Sequence, residues 1–177
     1  QAPGFVGLNN DFIASARLDN LLSCFGGLQA IINSADSGEW NLFVANDHEE
    51  VGSASAVGAQ GPMLNDVLRA IAPDPVDDRA LRQASWMLSV DNAHAIHPNY
   101  PTKHDELHAP LLGSGPVIKI NRNQRYATSG EGAARVRLLA ERAGVSVQSF
   151  VVRADMGCGS TIGPITATET GIPTTDI

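Results

Sequence analysis

The sequence is poor in cysteine, in aromatic residues and in long apolar runs. Of its 177 residues, two are cysteines and 5% are aromatic. Cys24 and Cys158 form no disulfide or zinc-ligand pattern, which predicts a protein of the reducing cytoplasm. No apolar run approaches the roughly 20 residues of a membrane-spanning helix, and Gln1-Ala2-Pro3-Gly4 is unlike the start of a signal peptide. We therefore expect no membrane partner.

An excess of positive charge is also missing. The chain has 12 Lys and Arg against 19 Asp and Glu, for a net charge of -7, and the basic residues are scattered. Since nucleic-acid-binding surfaces cluster basic residues, we expect no nucleic-acid partner. The hydrophobic share of 43% and the charged share of 18% are typical of a soluble globular domain. The length suits one compact domain with a core.

Helical and strand-like patterns alternate along the chain. Apolar residues three or four positions apart predict helices at 18–32 and 62–72, and 130–143 is predicted as a surface helix that carries Arg135, Arg137, Glu141 and Arg142. Short apolar runs predict strands at 40–46, 86–90, 116–120 and 149–153. A glycine-rich turn at 157–164 precedes a further short helix. This alternation predicts an α/β fold with a layered sheet in a single domain.

Acidic residues stand at the ends of these predicted elements. Glu49 and Glu50 follow the first predicted strand, Asp91 follows the second, and Asp19 lies at the start of the first helix. Open α/β sheets place their ligand sites at the carboxyl ends of strands, so these positions are the first candidates for a site. For Asp19 the default interpretation is a helix cap or a first-turn acid.

The pair Glu49-Glu50 admits two interpretations. Adjacent carboxylates point in different directions, so one can bind a metal while the other moves the proton of a metal-bound water. Most such pairs are solvated acidic turns, and the pair taken alone favours that interpretation. The apolar run before it and Val51-Gly52-Ser53 after it weigh against a merely solvated turn.

The segment after Asp91 is dense in ionisable groups. Asp91, His94, His97 and Tyr100 fall within ten residues and are costly to bury unless they bind something. A carboxylate with imidazoles is a common ligand set for zinc or manganese. Alternatively, Asp91 caps a turn and a histidine is satisfied in the core; both interpretations stay open. Cys158 has no particular histidine paired with it, so its turn is interpreted as close-packed chain near the site.

Six sequence blocks in a fixed order carry a family resemblance. They are Ala14-Ser15-Ala16-Arg17-Leu18-Asp19-Asn20, Asp47-His48-Glu49-Glu50-Val51-Gly52-Ser53, Asp91-Asn92-Ala93-His94-Ala95-Ile96-His97-Pro98-Asn99-Tyr100, Gly115-Pro116-Val117-Ile118-Lys119, Asn123-Gln124-Arg125-Tyr126-Ala127-Thr128 and Cys158-Gly159-Ser160-Thr161-Ile162-Gly163-Pro164. Together they resemble the aspartyl aminopeptidases, metallopeptidases that remove N-terminal acidic residues from peptides. The match covers nearly the whole chain.

The resemblance implies a layered α/β/α sheet of the two-zinc exopeptidase type and two divalent metal ions, with zinc expected. Asp19 matches the carboxylate that bridges the two metals, which replaces its default interpretation as a helix cap. Glu50 matches a ligand of one metal and Asp91 a ligand of the other. Glu49 matches the general base that takes a proton from the metal-bridged water.

The resemblance also implies the substrate contacts. Glu49, His94, Lys119 and Tyr126 match positions that touch a peptide with an acidic N-terminal residue. A lysine facing an acidic side chain gives a charge-assisted hydrogen bond, stronger than a neutral one. Each position has an alternative: Lys119 could be a solvated strand residue, and Tyr126 a core aromatic.

Parts of the family pattern lie outside this sequence. The family has one histidine ligand earlier than Gln1, another shortly after the segment matching Ile177, and a dimerisation domain inserted before Gln1. The resemblance therefore implies a partial catalytic domain over residues 1–177 and a homo-oligomer at full length. Two alternatives remain: another two-metal amidohydrolase of the same fold, such as a deacylase, and an inactive assembly fragment.

Overall fold

The computed structural model describes residues 2–35 and 37–177, which form two compact units. The first unit is Gln1–Ala45 and the second is Asn46–Ile177. The prediction of one partial catalytic domain stays a prediction. None of the helices formed by the described residues has the length and apolar character of a membrane span.

The first unit consists of a hairpin and a helix. Strands β1 (Gly4–Val6) and β2 (Phe12–Ala14) pair antiparallel, and helix α1 (Leu18–Asn33) follows them. The helix predicted at 18–32 is thus confirmed. All the described residues of α1 are at least partly exposed, including those of its apolar stripe.

Helix α1 begins irregularly. Arg17 occupies the N-cap position in the left-handed conformation, with φ of 60°. Asp19 and Asn20 have non-helical angles, and the peptide bond between them is cis. Asp19, at φ -83° and ψ 109°, is therefore neither the cap nor a regular first-turn residue of this helix.

The strand predicted at 40–46 is wrong, because the described residues there take part in no strand pairing. A strand needs the backbone groups of a neighbour, whereas an apolar run by itself sets only the sequence pattern. The first backbone hydrogen bond after this run joins Asp47 N to Val57 O at 3.1 Å and closes a loop instead. Glu49–Val51 then forms a 3-10 turn.

The second unit contains parallel strand pairs and their connecting helices. Its elements are α2 (Met63–Ile71), α3 (Pro75–Ala84), β3 (Met87–Ser89), β4 (Val117–Ile120), α4 (Gly130–Ala143), β5 (Gln148–Val151), α5 (Ile162–Thr170) and β6 (Thr174–Asp176). Strand β3 pairs with β6 and β4 pairs with β5, both parallel, and β6 also lies beside β4. Parallel strands linked through helices confirm the predicted α/β class.

Local signals fix the ends of these helices. Ser129 caps α4 by accepting from Gly132 N at 3.0 Å, and Gly144, at φ 65°, ends it in the left-handed conformation that glycine adopts without strain. Asp74 caps α3 by accepting from Val76 N at 2.8 Å, with Pro75 in the first turn. Helix α3 has no counterpart among the predicted elements.

A small core supports the carboxyl edge of the strands. Val117, Tyr126 and Phe150 are buried together, and Ala93, Val152 and Cys158 pack against them. These side chains come from β4, from β5 and from the segments that follow β3, β4 and β5. The core therefore fixes the segments in which most of the predicted site residues of the second unit lie.

Candidate functional site

Asp91 lies just beyond the carboxyl end of β3. Its N–H donates to Ile177 O at 3.2 Å, and Ile177 N donates to Ser89 O at 3.0 Å, so the pairing of β3 with β6 continues past both strands. The side chain of Asp91 keeps 20% of its surface exposed. Its carboxylate is thus placed at the sheet edge, as the sequence predicts.

Lys119 of β4 is buried and directed at Asp91. Its Nζ donates to the backbone oxygen of Asp91 at 2.7 Å and to Oδ2 of the carboxylate at 3.3 Å. Only 3% of the residue is exposed, so the interpretation as a solvated strand residue is wrong. A buried ammonium needs a partner charge and hydrogen-bond acceptors, and Asp91 supplies both.

Tyr126 lies beside this ion pair. Its ring centroid is 6.3 Å from that of Phe150 and 5.8 Å from the Lys119 Nζ. Burial, followed by the neighbouring Cys158 and acidic side chains, raises the pKa of the Tyr126 phenol above its ordinary value. The phenol therefore keeps its proton at neutral pH and can donate a hydrogen bond.

Two histidines continue the aromatic packing. The His94 ring meets Phe150 edge-on at 5.5 Å and His104 edge-on at 5.3 Å between centroids. Both ring nitrogens of His104 are buried and find no hydrogen-bond partner among the described residues. Desolvation, and then the charge of His94, lowers the pKa of His104. We call Tyr126, Phe150, His94 and His104 the aromatic row.

The structure thus brings Asp91, His94, Lys119 and Tyr126 together around one buried cluster. Asp91 and Lys119 are in direct contact, Tyr126 flanks the lysine, and His94 reaches Tyr126 through Phe150. A cation, a carboxylate and a protonated phenol converge here, and such a set can bind a charged polar ligand. Sequence reasoning did not find Phe150 and His104, because only the folded contacts reveal their place in the row.

Glu49 and Glu50 lie on the 3-10 turn of the second unit. The turn is closed by bonds from Gly52 N to Glu49 O at 2.9 Å and from Ser53 N to His48 O at 2.8 Å. Ser53 is buried, whereas Glu49 is half-buried and Glu50 is exposed. The backbone of the pair is therefore held firmly while both carboxylates stay accessible.

Asp19 lies in the first unit, whereas Glu50 and Asp91 lie in the second, and the predicted convergence of the three carboxylates stays a prediction. Within residues 2–35 and 37–177, no three His, Cys, Asp or Glu side chains are grouped as ligands of one metal ion. The chemistry of the donor set nevertheless fits a divalent cation. Carboxylate oxygen is an accepted zinc ligand, and Asp91 stays accessible at a strand edge.

Asp176 is a further acidic residue that sequence reasoning missed. It ends β6 and is 1% exposed. The signal that singled out Asp91, an acid at the end of a strand, is present in Thr174-Thr175-Asp176 as well. Because threonines occupy positions where apolar residues would indicate a buried strand, the sequence pattern does not predict β6. Asp176 is therefore not recognised as a strand-end acid.

All of residues 1–177 match the family described as "Aminopeptidase I zinc metalloprotease (M18)". The chain belongs to the M18 family. This confirms the resemblance carried by the six blocks, at the level of the family. A probable M18 family aminopeptidase 2 of Pseudomonas entomophila (strain L48) is 60% identical over 177 residues, which are 100% of this chain and 41% of that protein.

Solved structures of M18 proteins share the fold. Yeast aminopeptidase 1 is 33% identical, with a TM-score of 0.84 over 99% of this chain and 41% of that one. The S. cerevisiae mApe1 dodecamer is 32% identical, with a TM-score of 0.85 over 99% of this chain and 41% of that one. This M18 chain therefore spans less than half the length of the relatives it matches.

Proposed function

We propose that the full-length protein is a metallo-aminopeptidase that hydrolyses peptides with an N-terminal Asp or Glu. Membership of a family of zinc metalloproteases supports the hydrolysis. The observation that carries the acidic specificity is the buried Lys119 ammonium at the strand edge, beside Asp91 and Tyr126. A buried cation at a binding edge selects an anionic group, because a neutral one leaves the charge without a further partner.

Lys119 has the capacity for such a contact. An ammonium has three N–H donors, and its contacts with the backbone and the carboxylate of Asp91 use two of them. One donor remains for a substrate carboxylate, which would form a charge-assisted bond. The rigid strand β4 would deliver this donor without reordering the chain.

Asp19, Glu50 and Asp91 would hold two divalent metal ions. We propose zinc because the family is described as a zinc metalloprotease. The bound metal would supply Lewis acidity, polarising the scissile carbonyl and lowering the pKa of water. Glu49 would accept a proton from the attacking water through a carboxylate oxygen and deliver it to the nitrogen of the leaving amine. The water oxygen would form the new C–O bond, and the C–N bond would break as the amine nitrogen takes the proton from Glu49, which returns to a carboxylate. The second water proton would stay with the new carboxyl group until that group ionises.

Tyr126 and His94 would contact the substrate from the aromatic row, as Glu49 would from its turn. The phenol of Tyr126 is protonated at neutral pH, and burial raises its pKa further, so it would donate to a substrate oxygen. His94 is packed between Phe150 and His104. This packing would hold its imidazole in one orientation toward the peptide.

We further propose that the full-length protein forms a homo-oligomer in the cytoplasm. A dodecameric relative supports self-association. Both cysteines of this chain are free, which suits a reducing compartment.

Hydrolysis assays on the full-length protein, with and without Glu49→Gln, test the proposal. We expect cleavage of Asp and Glu amides with a free amino group and none of their N-acetyl forms, which a deacylase would accept.

Glu49→Gln should keep the metal content and lose about 10²–10⁴-fold in kcat, the range for a general base. Glu106→Gln, an exposed carboxylate of the same unit, is the matched control. Loss of metal in Glu49→Gln would make Glu49 a ligand and overturn its assigned role.

One observation favours a second candidate function, an M18 aminopeptidase without acidic preference. Both hydrogen bonds of Lys119 go to Asp91, so the lysine could serve the carboxylate alone. Comparable kcat/KM values for Asp and Leu amides in the wild-type protein would favour this second function.

A further inference from the structure

Asp176 is a buried anion whose described partners are uncharged. Its Oδ2 accepts from Ala127 N at 2.6 Å, and its Oδ1 accepts from the Thr161 hydroxyl at 2.7 Å. Its own N–H donates to the Thr128 hydroxyl at 3.0 Å. These four residues, Ala127, Thr128, Thr161 and Asp176, form what we call the Asp176 cluster. Without donors at both oxygens, a carboxylate at 1% exposure would be strongly destabilising.

One side of the Asp176 cluster is the glycine-rich turn. Thr161 caps α5, because its hydroxyl oxygen accepts from Gly163 N at 3.4 Å while its proton goes to Asp176. A Cβ at Gly163 would come within 2.0 Å of Asp176 Oδ1. Glycine is therefore needed at this position for the helix start to approach the carboxylate.

The other side of the Asp176 cluster is the chain that carries Tyr126. Ala127 is the next residue after Tyr126, and its N–H bond to Asp176 fixes the backbone at that point. A second link joins the same two segments, since the Ser160 hydroxyl donates to Arg125 O at 3.1 Å. The place of the Tyr126 ring beside Lys119 is thus tied to β6 and to the turn.

We propose that Asp176 is a positioning residue. Its carboxylate holds the backbone next to Tyr126 and the turn that contains Thr161 in a fixed arrangement. Tyr126 is thereby held in the position in which it would contact the substrate. The kinetic consequence rests on the proposed function, whereas the mechanical coupling does not. A carboxylate suits this task because it accepts at both oxygens. An asparagine would face either Ala127 N–H or the Thr161 hydroxyl with its N–H₂ group, which cannot accept a hydrogen bond from that donor.

Hydrogen exchange in the full-length protein tests the coupling without any need for activity. In Asp176→Asn we expect amide exchange to become about 10- to 100-fold faster, both at Ala127 and around Gly163. Helix α4 between them should keep its exchange rates. Asp155→Asn is the matched control, since Asp155 is an exposed acid near the same turn that pairs with Arg153 instead. Unchanged exchange at either segment would overturn the proposal.

Thr161 supplies a gentler pair of variants in case Asp176→Asn fails to fold. Thr161→Val keeps the shape but removes both the bond to Asp176 and the cap on Gly163 N, whereas Thr161→Ser keeps both. We expect Thr161→Val to lower kcat/KM about 10- to 100-fold and to loosen Ala127, with Thr161→Ser close to wild type. The effect of Thr161→Val should largely vanish in a Tyr126→Phe background, because both act through one side chain. Additive losses would overturn the positioning role.

The two readouts separate the two proposals. A wild-type protein that hydrolyses no N-terminal residue would refute the proposed function, and the exchange rates would still decide the coupling. Coupled exchange together with unchanged kcat/KM in an active enzyme would refute the positioning of Tyr126 by Asp176.

Discussion

Two aspartates sit at the ends of neighbouring parallel strands and have opposite surroundings. Asp91, beyond β3, is 20% exposed and pairs with the Lys119 ammonium. Asp176, at the end of β6, is 1% exposed and is held by an N–H and a hydroxyl. A carboxylate with an accessible face and a charged neighbour can exchange partners with a ligand. One enclosed by neutral donors is fixed, and its role is to hold chain segments in place.

The largest effect is expected from removing the charge beside the accessible aspartate. In the full-length protein, Lys119→Met should lower kcat/KM for N-terminal Asp or Glu about 10²–10⁴-fold. Breaking a buried ion pair costs about 3–5 kcal/mol, and each 1.36 kcal/mol is a factor of ten. The loss for a neutral N-terminal residue should be far smaller. Lys103→Met, at an exposed lysine of the same unit, serves as control.

Equal losses on both substrates, in a folded and metal-loaded Lys119→Met protein, would contradict the assignment. Lys119 would then serve Asp91 alone, and the contrast between an exchangeable and a fixed aspartate would weaken.

The next effect concerns stability and compares the two aspartates directly. In metal-stripped full-length protein, Asp176→Ala should lower the free energy of unfolding by about 2–4 kcal/mol, because two buried donors lose a charged acceptor. Asp91→Asn should cost at least as much, about 3–5 kcal/mol, because it leaves the buried Lys119 ammonium without its partner charge even though the backbone oxygen of residue 91 still accepts from it. Denaturant titration of each variant measures both values, and a cost as small as that of a solvated carboxylate for either variant would refute the comparison.

This contrast also explains what the sequence could predict. The sequence predicts helix α4 at its observed bounds. Its cap Ser129 and its terminating Gly144 directly precede and follow the helix in the chain, so both end signals are local. Helix α3 was missed because Pro73-Asp74-Pro75 both ends α2 and starts α3. The sequence does not predict strand β6, because threonines stand where apolar residues would mark a buried strand. The burial of Thr175 depends on distant chain, as the hydrogen bond from Trp86 Nε1 to its hydroxyl shows.

The same distinction between local signals and long-range contacts applies to the candidate site. The cluster of polar residues around Asp91 is visible locally, whereas Lys119 and Tyr126 were assigned through the family resemblance. Asp176 and His104 went unnoticed because residues far along the chain decide their burial; the Asp176 contact with Ala127 spans 49 positions. Long-range contacts of this kind leave no mark in local sequence patterns.

A smaller effect is expected from His104, a buried polar group without a partner in the described chain. Its pKa is lowered from 6.5 by desolvation and by His94, so below about pH 6.5 the unfolded state binds more protons than the folded one. Stability should therefore fall as the pH drops through this window. His104→Phe should flatten that fall while leaving stability at pH 7.5 nearly unchanged.

Unfolding free energies of wild type and His104→Phe, measured from pH 7.5 to 5, test this sign. His108→Phe is a control that replaces a histidine whose ring bonds Asp105 at 2.6 Å. A pH dependence identical in wild type and His104→Phe would show that His104 does not contribute.

The smallest effect is expected for a solvent-exposed carboxylate, which provides a reference for the two strand-end aspartates. Glu131 of α4 pairs with Arg135 at 3.2 Å, with the side chains 84% and 46% exposed. Water already solvates both charges, so Glu131→Gln should change the free energy of unfolding by about 0.5 kcal/mol or less. Arg135 also keeps its position 5.2 Å from the Trp86 ring. Both strand-end aspartates should therefore cost more than Glu131. A cost at Glu131 equal to that at Asp91 would mean that exposure does not govern these contributions, and the distinction between the two strand-end aspartates would lose its physical basis.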